Sequence, residues 1–109
     1  MSLDITIKQV HTVLCPHCGQ AVKTEVVDSV EGGGRDWYTF LESIGYYVLY
    51  DKRTPENDWY AKDMTLTNEH ALYLVDYIKR HPNMYGCEAK QLVANAFLEG
   101  DAIVINADW

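Results

Sequence analysis

Two alternating runs on either side of a short Cys/Pro/Gly segment constrain this chain more than any other feature. Leu3-Asp4-Ile5-Thr6-Ile7-Lys8 alternates apolar and polar, the period-two signature of a strand with one buried face, and leads on through His11-Thr12-Val13-Leu14. Val22-Lys23-Thr24-Glu25-Val26 alternates again beyond Cys15-Pro16-His17-Cys18-Gly19. A period of two separates apolar from polar residues only in extended backbone, where successive side chains point to opposite faces. The pattern therefore predicts a β-hairpin with the cysteines at its tip.

Glu31-Gly32-Gly33-Gly34 then breaks the alternation and reads as a flexible connector. It lacks the Lys-Ser/Thr of a phosphate-binding loop. Trp37, Phe40, Leu41 and Ile44 follow at i, i+3, i+4 and i+7, one face of a helix that Asp36 can cap and Gly45 can end. Tyr46-Tyr47-Val48-Leu49-Tyr50 is aromatic and β-branched and reads as a strand. Residues 51–62 are charged and read as an exposed loop, pinned to the body by Trp59 and Tyr60.

Thr67 is placed to cap a helix over 68–81, with Ala71, Leu74, Val75 and Ile78 as its apolar stripe and Pro82 as its stop. A third helix is predicted from Cys87 to Glu99, burying Leu92, Val93, Ala96 and Phe97 and closing at Gly100. Ala102-Ile103-Val104-Ile105 reads as a last strand. At 109 residues and 48% hydrophobic the chain suffices for one core. The expectation is a single α+β domain over 1–109: a mostly antiparallel sheet of four strands, three helices on one face, and Cys-x-x-Cys at a hairpin tip.

Charge bears on partners. Nine basic residues face sixteen acidic ones, a net charge of −7, which disfavours direct nucleic-acid binding because phosphates need Lys and Arg. An acidic surface suits solubility and, more sharply, docking on a basic protein. No run of the sequence is long and apolar enough for a membrane span, and the opening residues lack a basic flank and apolar run, so no secretory signal is expected. Three cysteines, an odd number, fit a reducing compartment. The expectation is a cytoplasmic protein.

Leu14-Cys15-Pro16-His17-Cys18-Gly19-Gln20 carries the only chemical signature. It resembles one knuckle of a zinc ribbon, in which two cysteines on a tight turn supply half of a tetrahedral thiolate site. A ribbon's second C-x-x-C is absent. His70 and His81 stand roughly 16 Å apart along one predicted helix, so both cannot bind one ion. His11 lies roughly 13 Å from Cys15 in extended chain. That leaves Cys87 with His81 or His17 to complete a structural zinc site with Cys15 and Cys18. Cys-Pro-His-Cys also resembles the active-site tetrad of periplasmic thiol oxidases with the thioredoxin fold, which would make Cys15 the nucleophile and Cys18 the resolving thiol. In that fold a helix follows the second cysteine, whereas a strand is predicted here. The third reading is a metal-free turn with two small thiols and no cofactor.

Aromatics outnumber what one small core buries. Tyr46, Tyr50, Trp59, Tyr60 and Trp109 are prospects for the surface, and Tyr50, Trp59 and Tyr60, beside acidic residues, are the candidate partner-binding residues. No Ser/His/Asp order, paired-acid motif or dinucleotide fingerprint occurs, and no catalytic residue is assigned.

Met1-Ser2-Leu3-Asp4-Ile5-Thr6-Ile7, Ala61-Lys62-Asp63-Met64, the helix through Leu72-Tyr73-Leu74, and Val93 to Ile105 form a layout. It resembles small uncharacterised phage and prophage proteins of gut Gram-positive bacteria, with a similar opening strand, central Ala-Lys-Asp helix start and terminal helix-strand. Many of those proteins carry an Asn/His-rich segment at the hairpin tip, so the resemblance implies no obligatory metal. That family has no established activity to carry over; with the acidic, aromatic surface, the expectation is a non-enzymatic phage-type accessory protein that binds another protein, a counter-defence inhibitor being one case. The alternative is a thiol- or zinc-dependent enzyme using Cys15 and Cys18.

Overall fold

The computed structural model describes residues 3–84 and 86–109; Met1 and Ser2, quoted in the resemblance above, and Tyr85 lie outside the described residues. The two alternating runs form strands β1 (Asp4–Leu14) and β2 (Ala21–Gly32), paired antiparallel from Ile5↔Gly32 to Leu14↔Ala21. Breaks in register between Gln9 and Val10, and between Val13 and Leu14, leave Val27 and Val22 as extra residues on β2. The last strand (Ala102–Asp108) pairs with the other edge of β1, from Asp4↔Asp108 to Val10↔Ala102, and a two-residue strand, Met64–Thr65, pairs with it in turn. Numbered in chain order, Met64–Thr65 is β3 and Ala102–Asp108 is β4. The sheet runs β2-β1-β4-β3, antiparallel throughout.

Helices α1 (Arg35–Ser43), α2 (Asn68–Arg80) and α3 (Cys87–Glu99) cover one face of this sheet, giving the α+β class expected. The pleat sends Ile5, Ile7 and Gln9 of β1 and Ile103, Ile105 and Ala107 of β4 toward them. There the five apolar ones join Trp37, Phe40 and Leu41, Leu74 and Ile78, and Leu92, Val93 and Ala96 in one buried cluster, with Gln9 buried beside β1's apolar residues. Full burial of one such side chain is worth about 1.5–3 kcal/mol.

Several helix details follow the sequence. Thr67 Oγ1 accepts from the His70 N–H at 3.1 Å and caps α2. Gly45, at φ +82°, follows α1 in the left-handed conformation, and Gly100, at φ +71°, ends α3 the same way. Asp36 does not cap α1: Gly34 holds that position without a side-chain bond, and Asp36 sits in the first turn, where its charge suits the dipole. Phe97 is 41% exposed, and Ala89 takes the fourth buried place on α3, because 89, 92, 93 and 96 form the face that meets the sheet. Tyr77 is likewise buried on α2, with Val75 only partly so.

Tyr46–Tyr50 is not a strand. The N–H groups of Tyr46 and Tyr47 both donate to the Leu41 carbonyl, at 2.9 and 3.2 Å, folding the chain back onto the end of α1. The fully buried Tyr46 places its hydroxyl on β4's backbone, and Tyr50–Lys52 forms a single 3-10 turn. Tertiary packing of one tyrosine overrides local β propensity here. The fourth strand is Met64–Thr65 instead. Ala61-Lys62-Asp63 forms the turn into it, with Ala61 at φ +57°, and the helix begins only at Asn68.

The glycine run is a close crossing, not a flexible connector. Gly32 ends β2 opposite Ile5, and a Cβ on Gly33 would sit 2.4 Å from the Leu3 carbonyl oxygen.

The hairpin outlasts the sheet that supports it. Pairing with β4 stops at Val10, and Leu14 lies four residues further on, about 13 Å at roughly 3.3 Å per residue. Every residue of β2 from Ala21 to Ser29 is exposed. The outer hairpin is thus an arm, with the cysteines at its end.

Candidate functional site

The arm's tip is closed by two backbone bonds. The Cys15 N–H donates to the Gln20 carbonyl at 2.7 Å, and the Gly19 N–H donates to the Cys15 carbonyl at 2.9 Å. Gly19 adopts φ +74°, a left-handed conformation that glycine takes without a Cβ penalty. Residues 16–18 curl between these bonds. The His17 N–H, then the Cys18 N–H, then the Cys18 thiol act on the Cys15 sulfur, and together they hold the Cys15 thiol below the ordinary thiol range. Cys15 is half-buried, Cys18 is exposed, and all three cysteines are free thiols.

The other expected ligands lie elsewhere or stand unpaired with the thiols. His17 is exposed at the tip. His81, at the end of α2, stacks on Tyr77 with ring centroids 4.0 Å apart, and its Nδ1 donates to the Tyr77 carbonyl at 2.9 Å. Cys87 is exposed at the first position of α3. Among the described residues no three His, Cys, Asp or Glu side chains converge on a metal position. Cys15, Cys18, Cys87, His17 and His81 therefore do not form one site within one chain. The layout of a thiol oxidase is not met either, since Cys18 leads into β2 and not into a helix.

A second polar constellation joins the base of the arm to the body. Asp101, in the turn between α3 and β4, accepts from Gln9 Nε2 at 2.7 Å through Oδ2 and from His11 Nδ1 at 2.7 Å through Oδ1. Its side chain is only 3% exposed, against 49% for His11. The hydrogen bond to Asp101 holds the His11 pKa above its ordinary value. The bonds from Gln9 and His11 hold the Asp101 carboxyl below its own. The adjoining cleft, about 500 Å³, is completed by Val27, Asp28, Asn95 and Glu99. No hydroxyl or thiol of the described residues lines it; its polar lining is Gln9, His11, Asp28, Asn95, Glu99 and Asp101. One signal of it was present in the sequence: Gln9 occupies the next buried position after Leu3, Ile5 and Ile7, and a polar group there requires a partner.

The three candidate partner-binding aromatics separate. Tyr50 is 87% exposed. Trp59 is half-buried and stacks on Tyr46 at 6.3 Å, and Tyr60 sets its edge against Trp109 at 4.9 Å, under the Arg53 guanidinium 5.6 Å from the Trp109 ring. Trp59 and Tyr60 thus pin the loop, as expected, though Tyr60 remains 44% exposed, and of the three only Tyr50 has no aromatic partner among the described residues.

The sheet face away from the helices is uncovered, and register shows what it carries. Val26, Val10 and Ala102 form one row; Ser29, Lys8, Val104 and Thr65 form the next. With Thr12, Thr24 and Asp63 they line a shallow concavity of about 430 Å³. Toward the body the face ends in the exposed carboxylates Asp4, Glu31, Asp63 and Asp108. Among the described residues no helix is long and apolar enough to cross a membrane. Compared with protein-family models, with curated proteins and with solved structures, the chain finds no match.

Proposed function

We propose that the chain is a non-enzymatic protein-binding module whose docking surface is the helix-free face of the sheet. The observation that carries this is the contrast between the two faces. One is sealed by three helices; the other leaves Val10, Val26, Ala102 and Val104 in partial contact with water, where apolar area is unfavourable by about 25 cal/mol per Å². The carboxylates at its body end, Asp4, Glu31, Asp63 and Asp108, match a partner whose apolar patch is flanked by Lys or Arg. Tyr50, at 87% exposure, is available as a further contact. The net charge of −7 and the three free thiols favour a protein partner over nucleic acid and a reducing bacterial cytoplasm. The resemblance to phage and prophage proteins makes it an accessory protein of that kind, counter-defence being one case.

The test uses the immobilised full chain and lysate of a Gram-positive gut bacterium. A retained protein should lose affinity at least roughly tenfold, on the order of 1.4 kcal/mol, with Val26→Lys/Val104→Lys, and should weaken with salt. Retention unchanged by those substitutions, or no retention, overturns the reading.

A second reading, a thiol-dependent enzyme, is favoured by one observation: the lowered pKa of Cys15. Its discriminator is Cys15→Ser/Cys18→Ser, which should leave partner binding intact if the first reading holds.

A further inference from the structure

We propose that the arm's tip is half of a zinc site, completed by the tip of a second copy of this chain, so that Cys15 and Cys18 of both copies bind one ion. The proposal stands independently of the open-face reading.

The tip has the form that thiolate ligation needs. Cys15 and Cys18 lie near one another on a turn pinned by the Cys15–Gln20 and Gly19–Cys15 backbone bonds. Zinc takes four ligands in tetrahedral array, and two thiols are half of that set. The chain's other cysteine and its partnered histidines lie off the arm or at its base: Cys87 begins α3, His81 is bonded to Tyr77, and His11 to Asp101. Among the described residues no third His, Cys, Asp or Glu side chain, His17 at the tip included, converges with the two thiols on a metal position.

The arm's position lets a second copy supply the rest. The tip stands beyond the end of β4's pairing, clear of the helices, so two arms can meet end to end without the bodies touching. From Gln9 to Thr24 the sequence has no carboxylate, although the chain as a whole is strongly acidic, so like-charge repulsion is weakest at this end. Leu14 and Val22, next to the cysteines, are 56% and 61% exposed, and a facing tip would cover them. That would place a dry apolar collar around the ion, which strengthens thiolate coordination. In the binding step one Zn²⁺ enters, four Zn–S bonds form, and the four thiol protons leave to solvent. No electrons are exchanged.

The experiment titrates the reduced, metal-stripped full chain with Zn²⁺ alone, following bound metal and sedimenting mass together. The expected result is one zinc for two chains, a doubling of mass that reverses with chelator, and neither effect in Cys15→Ser/Cys18→Ser. Circular dichroism checks that this variant folds. Co²⁺ substituted into the wild-type protein should give the visible bands and sulfur charge-transfer absorption of tetrahedral thiolate, without relying on any variant. His17→Gln should retain stoichiometry and dimer. One zinc per chain on a monomer, loss of binding in His17→Gln, a dimer that survives loss of both cysteines, or no zinc uptake each overturns the proposal.

Discussion

Asp101 closes on His11 with Nδ1 and Oδ1 2.7 Å apart, across ninety positions of sequence, and so ties the start of the arm to the turn that precedes β4. The second oxygen of the same carboxylate holds the buried Gln9 amide, so one side chain fixes two successive helix-facing positions of β1. The arm is anchored where β4's support ends.

The clamp makes a pH prediction. Folding raises the His11 pKa above its ordinary 6.5, so its charged contribution is complete below about that pH and fades as pH rises through the raised folded value. Folding lowers the Asp101 pKa beneath its ordinary 3.8, so its contribution is present above that pH and is lost as pH falls through the lowered value. The clamp is therefore strongest between about pH 4 and 6.5. In Asp101→Asn the His11 titration midpoint, read by NMR, should fall toward its ordinary value, and amide exchange at Val10 and Thr12 should quicken. An unchanged midpoint would show that the carboxylate does not charge-stabilise the imidazole.

Gly33→Ala should destabilise the fold by about 1–3 kcal/mol, the range for forcing extra atoms into a packed site. The added methyl would lie 2.4 Å from the Leu3 carbonyl oxygen, and backbone cannot yield as a flexible side chain can. Urea denaturation checks this, with Gly19→Ala at the open tip as the contrast. Gly19→Ala meets no neighbouring atom within 4 Å and should show only the smaller cost of its left-handed backbone.

Tyr46→Phe tests the fastening that replaces the expected strand. The Tyr46 hydroxyl donates to the Lys62 carbonyl at 2.6 Å and accepts from the Ala107 N–H at 2.8 Å. Removing it strands a donor and an acceptor, at a cost of about 1–3 kcal/mol in thermal or chemical unfolding. Tyr50→Phe, on an 87% exposed side chain, should fall within about 0.5 kcal/mol of wild type. Equal effects of the two substitutions would rule out a structural role for the Tyr46 hydroxyl.

Much of the architecture was legible because it is written in neighbouring residues. The alternation through Leu3–Lys8, the Thr67 cap, the i, i+3, i+4 stripes of the helices and the cysteines at the turn each depend on spacing within one element. The Tyr46–Tyr50 segment failed for the opposite reason. Its composition favours a strand, but the buried hydroxyl bonds to Ala107, 61 positions away, and no local pattern carries that information. Gln9 was readable only as an anomaly, since its partner Asp101 lies in a turn at the other end of the chain.

By itself, then, the sequence determined the hairpin, the three helices and the cysteine pair at the tip, because period and turn chemistry act over a few residues. Only the tertiary structure decided that the hairpin extends past its sheet and that His81 and Cys87 stand apart from Cys15 and Cys18. It also decided which face of the sheet remains uncovered. Those outcomes depend on which long-range surfaces pack against one another, a balance of burial summed over the whole core.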